Sequence, residues 1–497
     1  MTYVCGIDCG TQSTKIIIYD SQAKKIIANS SAAHQLFSNI DGTMEQHPSW
    51  WINAIKDCFS QIDPKIKSQI KAIGVSGQQH GFVALGKNDE VLCNAKLWCD
   101  TTTVKECEQI ITAFGGKEKL LQEVGNSIIP AYTLPKILWL KNHRTEFYKQ
   151  LTTILLPHDY INFYLTGNKV MEFGDASGTG ILDIKTKTWS QKILNCVDSQ
   201  KNLLACLPPL IKADQMAGFV TESVAKDLGL APKVIVSSGG GDNMMGAIGT
   251  GTVDAGALTM SLGTSGTLFG YSDKPVIDSL GVASAFCSST GGYLPLVCTQ
   301  NCTVSTELIR SLFDMEVKDL EAYASRSEVG ANGVIALPFF TGERTPALPK
   351  GKGSFMGITS QNMNKENMTR ACMEAAVFSL KLGLASFVNA GFKPSFVNLI
   401  GGGSKSATWR QIVADTLNLP VKIPLQTEAA AFGAALQSLW CLDKNLNPSL
   451  SIETVIHDHL EYDQMKSHLP NSNAVKSYQD VYQQFCKYVQ LLTPMYT

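Results

Sequence analysis

Apolar runs break into glycine- and hydroxyl-rich turns at four places along the chain, and these places predict its organisation. Tyr3-Val4-Cys5-Gly6-Ile7 leads through Asp8-Cys9-Gly10-Thr11-Gln12-Ser13-Thr14 into Ile16-Ile17-Ile18-Tyr19, which reads as a β-hairpin with a polar tip. Val234-Ile235-Val236 precedes Gly239-Gly240-Gly241-Asp242-Asn243 and the small, apolar run from Met244 to Ile248. Strand, turn and helix start are expected there, with Asp242 near the helix N-terminus. Leu258-Thr259-Met260-Ser261-Leu262 runs into Gly263-Thr264-Ser265-Gly266-Thr267 and on to Leu268-Phe269, a second hairpin whose tip echoes the first. The last run, Phe396 to Ile400, passes through Gly401-Gly402-Gly403-Ser404 into a segment with Trp409, Ile412, Val413, Thr416 and Leu417 on one helical face.

The echo between the hairpins predicts a related βββαβα-like unit in each half, with a boundary near residue 246, so that 1–246 and 247–497 form two domains. From Lys476 onward, Tyr478, Val481, Tyr482, Phe485, Tyr488, Val489 and Leu492 recur at helical steps and predict an amphipathic, packing helix. The fold class is α/β, and 497 residues exceed one ordinary core, which leaves a cleft between domains for a ligand.

Composition narrows the function. Apolar residues make up 44% and charged residues 17%, as in a well-packed enzyme. A formal net charge of −1 without blocks of like charge speaks against nucleic acid and anionic membrane as partners and favours small molecules. The first twenty residues lack a basic segment followed by an apolar run, and no stretch reaches eighteen uninterrupted apolar residues, so a cytoplasmic location is expected. None of the 14 cysteines forms the two-residue-spaced pairs of zinc sites, and free thiols are expected, with no metal on cysteine.

Candidate chemistry gathers at the turns. Glycine lets backbone N–H groups approach phosphate oxygens and hydroxyls add donors, so both hairpin tips qualify as phosphate cradles, whereas no G-x-x-x-x-G-K-[ST] loop exists. Asp8 closes the first strand, either as a turn former or as a carboxylate beside phosphates, where magnesium must be held. Asp242 follows three glycines, either as a helix cap or as a base that meets a substrate hydroxyl. Gln79 and His80 follow the apolar Ala72-Ile73-Gly74-Val75, at a strand end where α/β proteins bind ligands.

These pieces in this order resemble the FGGY carbohydrate kinase family of the actin-like superfamily. The landmarks are Asp8-Cys9-Gly10-Thr11, Gly239-Gly240-Gly241-Asp242-Asn243, Ser261-Leu262-Gly263-Thr264-Ser265-Gly266, Gly342-Glu343-Arg344-Thr345-Pro346 and Gly401-Gly402-Gly403-Ser404. Longer signatures match around Thr133 to Trp139 and from Gly353 to Glu374, with Ala131 and Cys372 as departures. The resemblance implies two actin-like (ribonuclease H-like) domains that clasp ATP and a sugar in the cleft. Asp242 is then the base and Asp8 places Mg2+. Gly10, Thr11, Gln12, Ser13, Gly263 and Thr264 hold phosphates, and Gly402, Gly403 and Ser406 line the nucleotide. Gln79, His80, Asp242 and Asn243 hold the sugar.

Within the family, Gly77-Gln78-Gln79-His80-Gly81, Leu97-Trp98-Cys99-Asp100 and Leu156-Pro157-His158-Asp159-Tyr160 point to members that phosphorylate ketopentoses such as D-xylulose. Gln79 stands where bacterial members often have Met. Ribulose, gluconate and glycerol are the rival acceptors, and a homodimer is left open. An actin-like ATPase that phosphorylates no sugar is disfavoured by Asp242 with Gln79-His80. A silent sugar-binding regulator is disfavoured by the retained base and the lack of an evident helix-turn-helix.

Overall fold

The computed structural model describes residues 2–496. In the first half, the strand Tyr3–Cys9 pairs antiparallel with Ser13–Asp20, which pairs antiparallel with Lys25–Ala33. Its other edge pairs parallel with Ile70–Gly77, and that strand pairs parallel with Ile235–Ser237. The second half repeats the pattern. Ala257–Leu262 pairs antiparallel with Gly266–Gly270, and that strand with Tyr293–Thr299. On the opposite edge lie Phe396–Ile400 and then Val421–Lys422, both parallel. The expected pair of hairpins and the α/β actin-like duplication are therefore present.

Strand alternation explains why these sheets are covered on both faces. Cys5, Ile7, Ile16 and Ile18 join a core of the first half, whereas Val4, Ile17 and Tyr19 face the other way. There they meet Met244, Ile248, Phe432 and Leu436 together with Phe269 and Leu296 of the second sheet. Side chains with a period of two thus divide between an internal core and one shared by the halves, and the strand reads as a continuous apolar run. The second half has its own core around Met260, Leu262, Phe378, Leu399 and Val413.

Two helices tie the halves together. Asp242–Thr250 follows the triple-glycine turn, and Ala429–Lys444 follows the last parallel strand of the second sheet. The second of these lies on the first half's sheet at backbone contact. A Cβ on Gly6 would meet the carbonyl oxygen of Ala431 at 1.9 Å, and one on Gly74 would meet that of Ala434 at 1.9 Å. The two helices also approach each other at glycines: a Cβ on Gly249 would meet the Ala429 carbonyl at 1.9 Å, and one on Gly433 the Met245 carbonyl at 1.8 Å.

The triple-glycine segment differs in detail from the expected simple turn. Gly240–Gly241 adds a short parallel pairing to Ile70–Gly77, and the helix takes Gly241 as its N-cap, so Asp242 is its first residue. The terminal helix spans Ser472–Leu492, a turn earlier than the apolar period begins, because Asn471 caps a polar first turn. Its Tyr478 packs edge-on and its Phe485 at a tilt against Phe378, the packing role expected.

The helix Lys365–Asn389 reaches a mean hydropathy of 1.5 over an 18-residue window, yet 78% of that window is buried inside the protein. It is a core helix. Residue 246, the expected domain boundary, lies within the helix Asp242–Thr250.

Adding one methyl at the glycine contacts should be destabilising. Gly6→Ala and Gly433→Ala each lose about 1–3 kcal/mol or more in denaturant unfolding, the cost of overpacking against rigid backbone. Gly246→Ala, whose new Cβ would have nothing within 4 Å, should be neutral or gain up to about 1 kcal/mol from helix propensity.

Candidate active site

Asp8 stands at the end of the first strand, half-buried, and its Oδ1 accepts a hydrogen bond from Ser76 Oγ on the neighbouring parallel strand (2.8 Å). Burial pushes its carboxyl up to about 6, and Glu428 adds to the shift while Ser76 and Lys15 oppose it. Lys15 is itself paired with Glu428 at 2.7 Å, an ion pair from the first hairpin to the N-terminus of the helix Ala429–Lys444.

Asp242 is also half-buried, and burial followed by the nearby charge of Asp8 raises its carboxyl to about 7. Its Oδ1 accepts from the backbone N–H of Asn243 (2.8 Å) and from Asn243 Nδ2 (3.1 Å), which leaves Oδ2 unspent among the described residues. Asn243 Nδ2 also donates to Gln79 Oε1 (2.6 Å), and Gln79 Nε2 points to Met244 Sδ (3.0 Å). These contacts bring Asp8, Asp242, Asn243 and Gln79 into one cluster. The turn before Asp242 is held by the fully buried Gln437, which accepts from Gly239 N (2.9 Å) and Ser237 Oγ (2.9 Å) and donates to Gly239 O (3.1 Å).

His80 is nearly buried and adopts a left-handed backbone, φ 61°, which is uncommon for a residue with a side chain. Its carbonyl accepts from Lys136 Nζ (2.8 Å) and Thr133 Oγ1 (3.2 Å), and its N–H points at Asp175 Oδ1 (3.4 Å). The ring lies between Tyr132 and Phe286 (centroids 5.4 and 5.2 Å). A Cβ on Gly178 would fall 1.8 Å from its Cε1, so only glycine lets the ring sit there.

At the first tip, the Gly10 N–H is used inside the hairpin on the Ser13 carbonyl (3.0 Å). The Thr11 hydroxyl donates to Gln78 Oε1 (3.2 Å) and accepts from Trp98 Nε1 (3.1 Å), while Gln12 is exposed. The guanidinium of Arg344, from the second half, lies 5.8 Å over the Trp98 ring. At the second tip, the carbonyls of Gly263 and Thr264 accept from Thr303 N (2.9 Å) and Cys302 N (3.1 Å), so the unspent groups there are amides and hydroxyls.

The Gly401 turn belongs with this second tip. Gly401 has φ 86°, and a Cβ on it would meet the Leu262 carbonyl at 2.7 Å. Gly402 is exposed, an added Cβ there coming no nearer than 4.0 Å to the Leu262 carbonyl, whereas Gly403 is buried against Leu262 and Trp409. Ser406 is already engaged: its hydroxyl caps the helix Ala407–Leu417 by accepting from Trp409 N (2.9 Å) and donates to Glu321. Among the described residues, no hydrogen bond or ion pair joins Gly402, Gly403 or Ser406 to the Gly10–Ser13 tip.

Models of the FGGY family of carbohydrate kinases match residues 3–249 with the N-terminal domain and residues 258–441 with the C-terminal domain. The chain belongs to this family. A xylulose kinase of Haemophilus influenzae is 41% identical over 494 residues, covering 98% of this chain and 99% of the relative. Among solved structures, a xyloylose kinase from Brucella ovis shares 27% identity with a TM-score of 0.91, covering 99% of this chain and 100% of that one. A gluconate kinase from Lactobacillus acidophilus shares 27% identity with a TM-score of 0.89, covering 100% of this chain and 99% of that one. The enzyme is therefore a carbohydrate kinase, and its small-molecule partners are a sugar and a phosphoryl donor.

A divalent cation fits beside Asp8 and Asp242. Among the described residues no group of three or more His, Cys, Asp or Glu side chains forms a ready-made metal site. Magnesium usually takes only one or two carboxylates and completes its shell with water and substrate phosphates. Asp8 offers one unspent carboxyl oxygen, and a nearby cation would relieve its repulsion with Asp242.

The residues that sequence reasoning missed are those that hold others in place: Gln437 behind the Gly239 turn, Lys136 on the His80 carbonyl, and Asp175 beside the His80 ring. Only the Gly174-Asp175-Ala176-Ser177-Gly178 run of small residues around an acid hinted at close packing there.

The two raised carboxyls predict a pH dependence of stability. A carboxyl whose folded pKa lies above its ordinary 3.8 stabilises fully below that value and loses the contribution as pH rises through about 6 for Asp8 and about 7 for Asp242. Between pH 5 and 8 the ligand-free Tm should fall in the wild type and fall less in Asp242→Asn, as thermal melts at each pH would show.

Proposed function

We propose that the enzyme catalyses ATP-dependent phosphorylation of a ketopentose, converting D-xylulose to D-xylulose 5-phosphate. The observation that carries this reading is the Asp242 carboxyl, with one oxygen fixed by Asn243, the other unspent, and a proton affinity near neutrality. A base of that strength is suited to take the proton of an alcohol that attacks a phosphoryl group. The choice of sugar rests on the full-length likeness to the xylulose kinase of Haemophilus influenzae.

The first half supplies the sugar site through Gln79, His80, Asp242 and Asn243, and the second half holds the nucleotide. Asp242 accepts the proton of the terminal hydroxyl as that oxygen bonds to the γ-phosphorus of ATP and the bond to the β-bridging oxygen of ADP breaks. Amides at Thr11 and Gln12 of the first tip and at Gly263 and Thr264 of the second donate to phosphate oxygens, while Gly10, its own amide spent on the Ser13 carbonyl, shapes the first tip; Gly402, Gly403 and Ser406 lie along the adenosine. Asp8 holds Mg2+, which when bound neutralises charge on the transferred phosphate. Such transfer depends on positioning and charge stabilisation, with no covalent intermediate on the enzyme. Fourteen cysteines, all free, suit the reducing cytoplasm.

A second reading, an aldonate acceptor, draws on the gluconate kinase of Lactobacillus acidophilus. ADP release measured with ketopentoses, polyols and aldonates separates the two, and kcat/KM highest for D-xylulose is expected; highest for gluconate would select the second.

Asp242→Asn should lower kcat by about 10²–10⁴-fold while ATP and D-xylulose still bind, because an amide cannot accept the proton. Wild-type kcat should also decline as pH falls through the Asp242 value of about 7. Asp8→Asn should depress turnover and raise the magnesium concentration needed for half-maximal rate; a normal magnesium titration would return Asp8 to a turn-forming role.

A further inference from the structure

Behind His80 lies a buried chain of ionisable groups that neither the phosphate tips nor the base uses. Asp175 is fully buried; its Oδ1 is 3.3 Å from His80 Nδ1, and its Oδ2 is 3.0 Å from His158 Nδ1. On the far side, His158 Nε2 is 2.9 Å from Asp159 Oδ1, with both residues buried. His80 Nδ1 is sealed from solvent and faces Asp175 Oδ1 without a well-aligned hydrogen bond, as His158 Nε2 faces Asp159 Oδ1, and no hydrogen bond to His80 Nε2 is made among the described residues.

We infer that Asp175, backed by His158, sets the tautomer of His80 so that Nδ1 carries the ring proton and Nε2 is offered as an acceptor to a sugar hydroxyl. This rests on the reading that His80 contacts the sugar.

The reasoning is one of charge placement. A carboxylate can only accept, so an unprotonated Nδ1 facing Asp175 would set two lone pairs against each other in a dry interior. His158 sits between two carboxylates, and although burial opposes its charged form, Asp159 and Asp175 together hold its pKa well above the ordinary histidine value. The imidazolium then compensates Asp175, whose carboxyl falls to about 2 despite its burial. With that negative charge already shared, burial holds the His80 pKa below the ordinary value and so favours the neutral ring, and Lys136, in so far as it is charged, acts in the same direction. A neutral imidazole with one nitrogen committed as donor has the other left as acceptor. The clamp on its carbonyl by Lys136 and the seat on Gly178 prevent the ring from turning away. Asp175 and His158 are thus positioning residues that act on the sugar through His80.

The test combines a spectrum with kinetics. In 15N-histidine-labelled, ligand-free enzyme, the His80 signals, identified by their loss in His80→Gln, should show a protonated Nδ1 and an unprotonated Nε2. A proton on Nε2 would overturn the inference. Asp175→Asn can donate to Nδ1 and should move the proton to Nε2. The KM for D-xylulose should then rise about three- to tenfold, the worth of one hydrogen bond, with the ATP KM unchanged and kcat moved less. His80→Ala raising the sugar KM while Asp175→Asn leaves it at the wild-type value would sink the role of Asp175 alone. An unchanged sugar KM in His80→Ala would overturn the sugar-contact reading and the inference with it. Should Asp175→Asn fail to fold, the wild-type spectrum decides.

Discussion

The close seating of the helix Ala429–Lys444 on the first half's sheet is the constraint on which the site depends. Gly6 and Gly74 let that helix approach to backbone contact, and Gly249 with Gly433 does the same for its crossing with Asp242–Thr250. Interiors pack at crystal-like density, so an added carbon at any of these points must displace main chain. From this helix Gln437 reaches the Gly239 turn, and Glu428 at its N-terminus reaches Lys15. One element of the second half therefore fixes the turn that presents Asp242 and borders the hairpin that presents Asp8.

That placement has an electrostatic cost. Two carboxyls are held half-buried near each other, and burial raises both; Asp242 feels Asp8 as its largest charged neighbour, and Asp8 feels Glu428. Perturbed titration of this kind gathers where a fold serves chemistry rather than stability. The cost is moderated on one side by Ser76 and Lys15 and on the other by Asn243. The left-handed backbone of His80 is a similar expense, held by Lys136, Thr133 and the glycine at 178.

The same polar side chains do different work according to what surrounds them. His158 and His80 share one carboxylate, yet the first is flanked by a second acid that favours its charged form, while the second lies among aromatic rings and beside Lys136, where burial favours its neutral form. Ser406 shows the converse: a hydroxyl in the right turn for a nucleotide already caps a helix and binds Glu321.

Local order was legible in the sequence by itself. Both hairpins, the strand–turn–helix at Gly239 to Asn243, the Gly401 turn and the terminal helix follow from apolar period and glycine position, because backbone preference and side-chain alternation act within a few residues. Asp8, Asp242 and Gln79-His80 stood out because they sit in glycine turns at strand ends, where α/β proteins bind ligands, although turn forming and helix capping suit the same two acids. Gln437, Lys136 and Asp175 did not, since each acquires its role from a partner far along the chain, 198, 56 and 95 residues away respectively. Only the tertiary structure decided which glycines are contacts, which hydroxyls are already used and which histidine carries charge, because hydrogen bonding and desolvation depend on neighbours that chain order does not reveal.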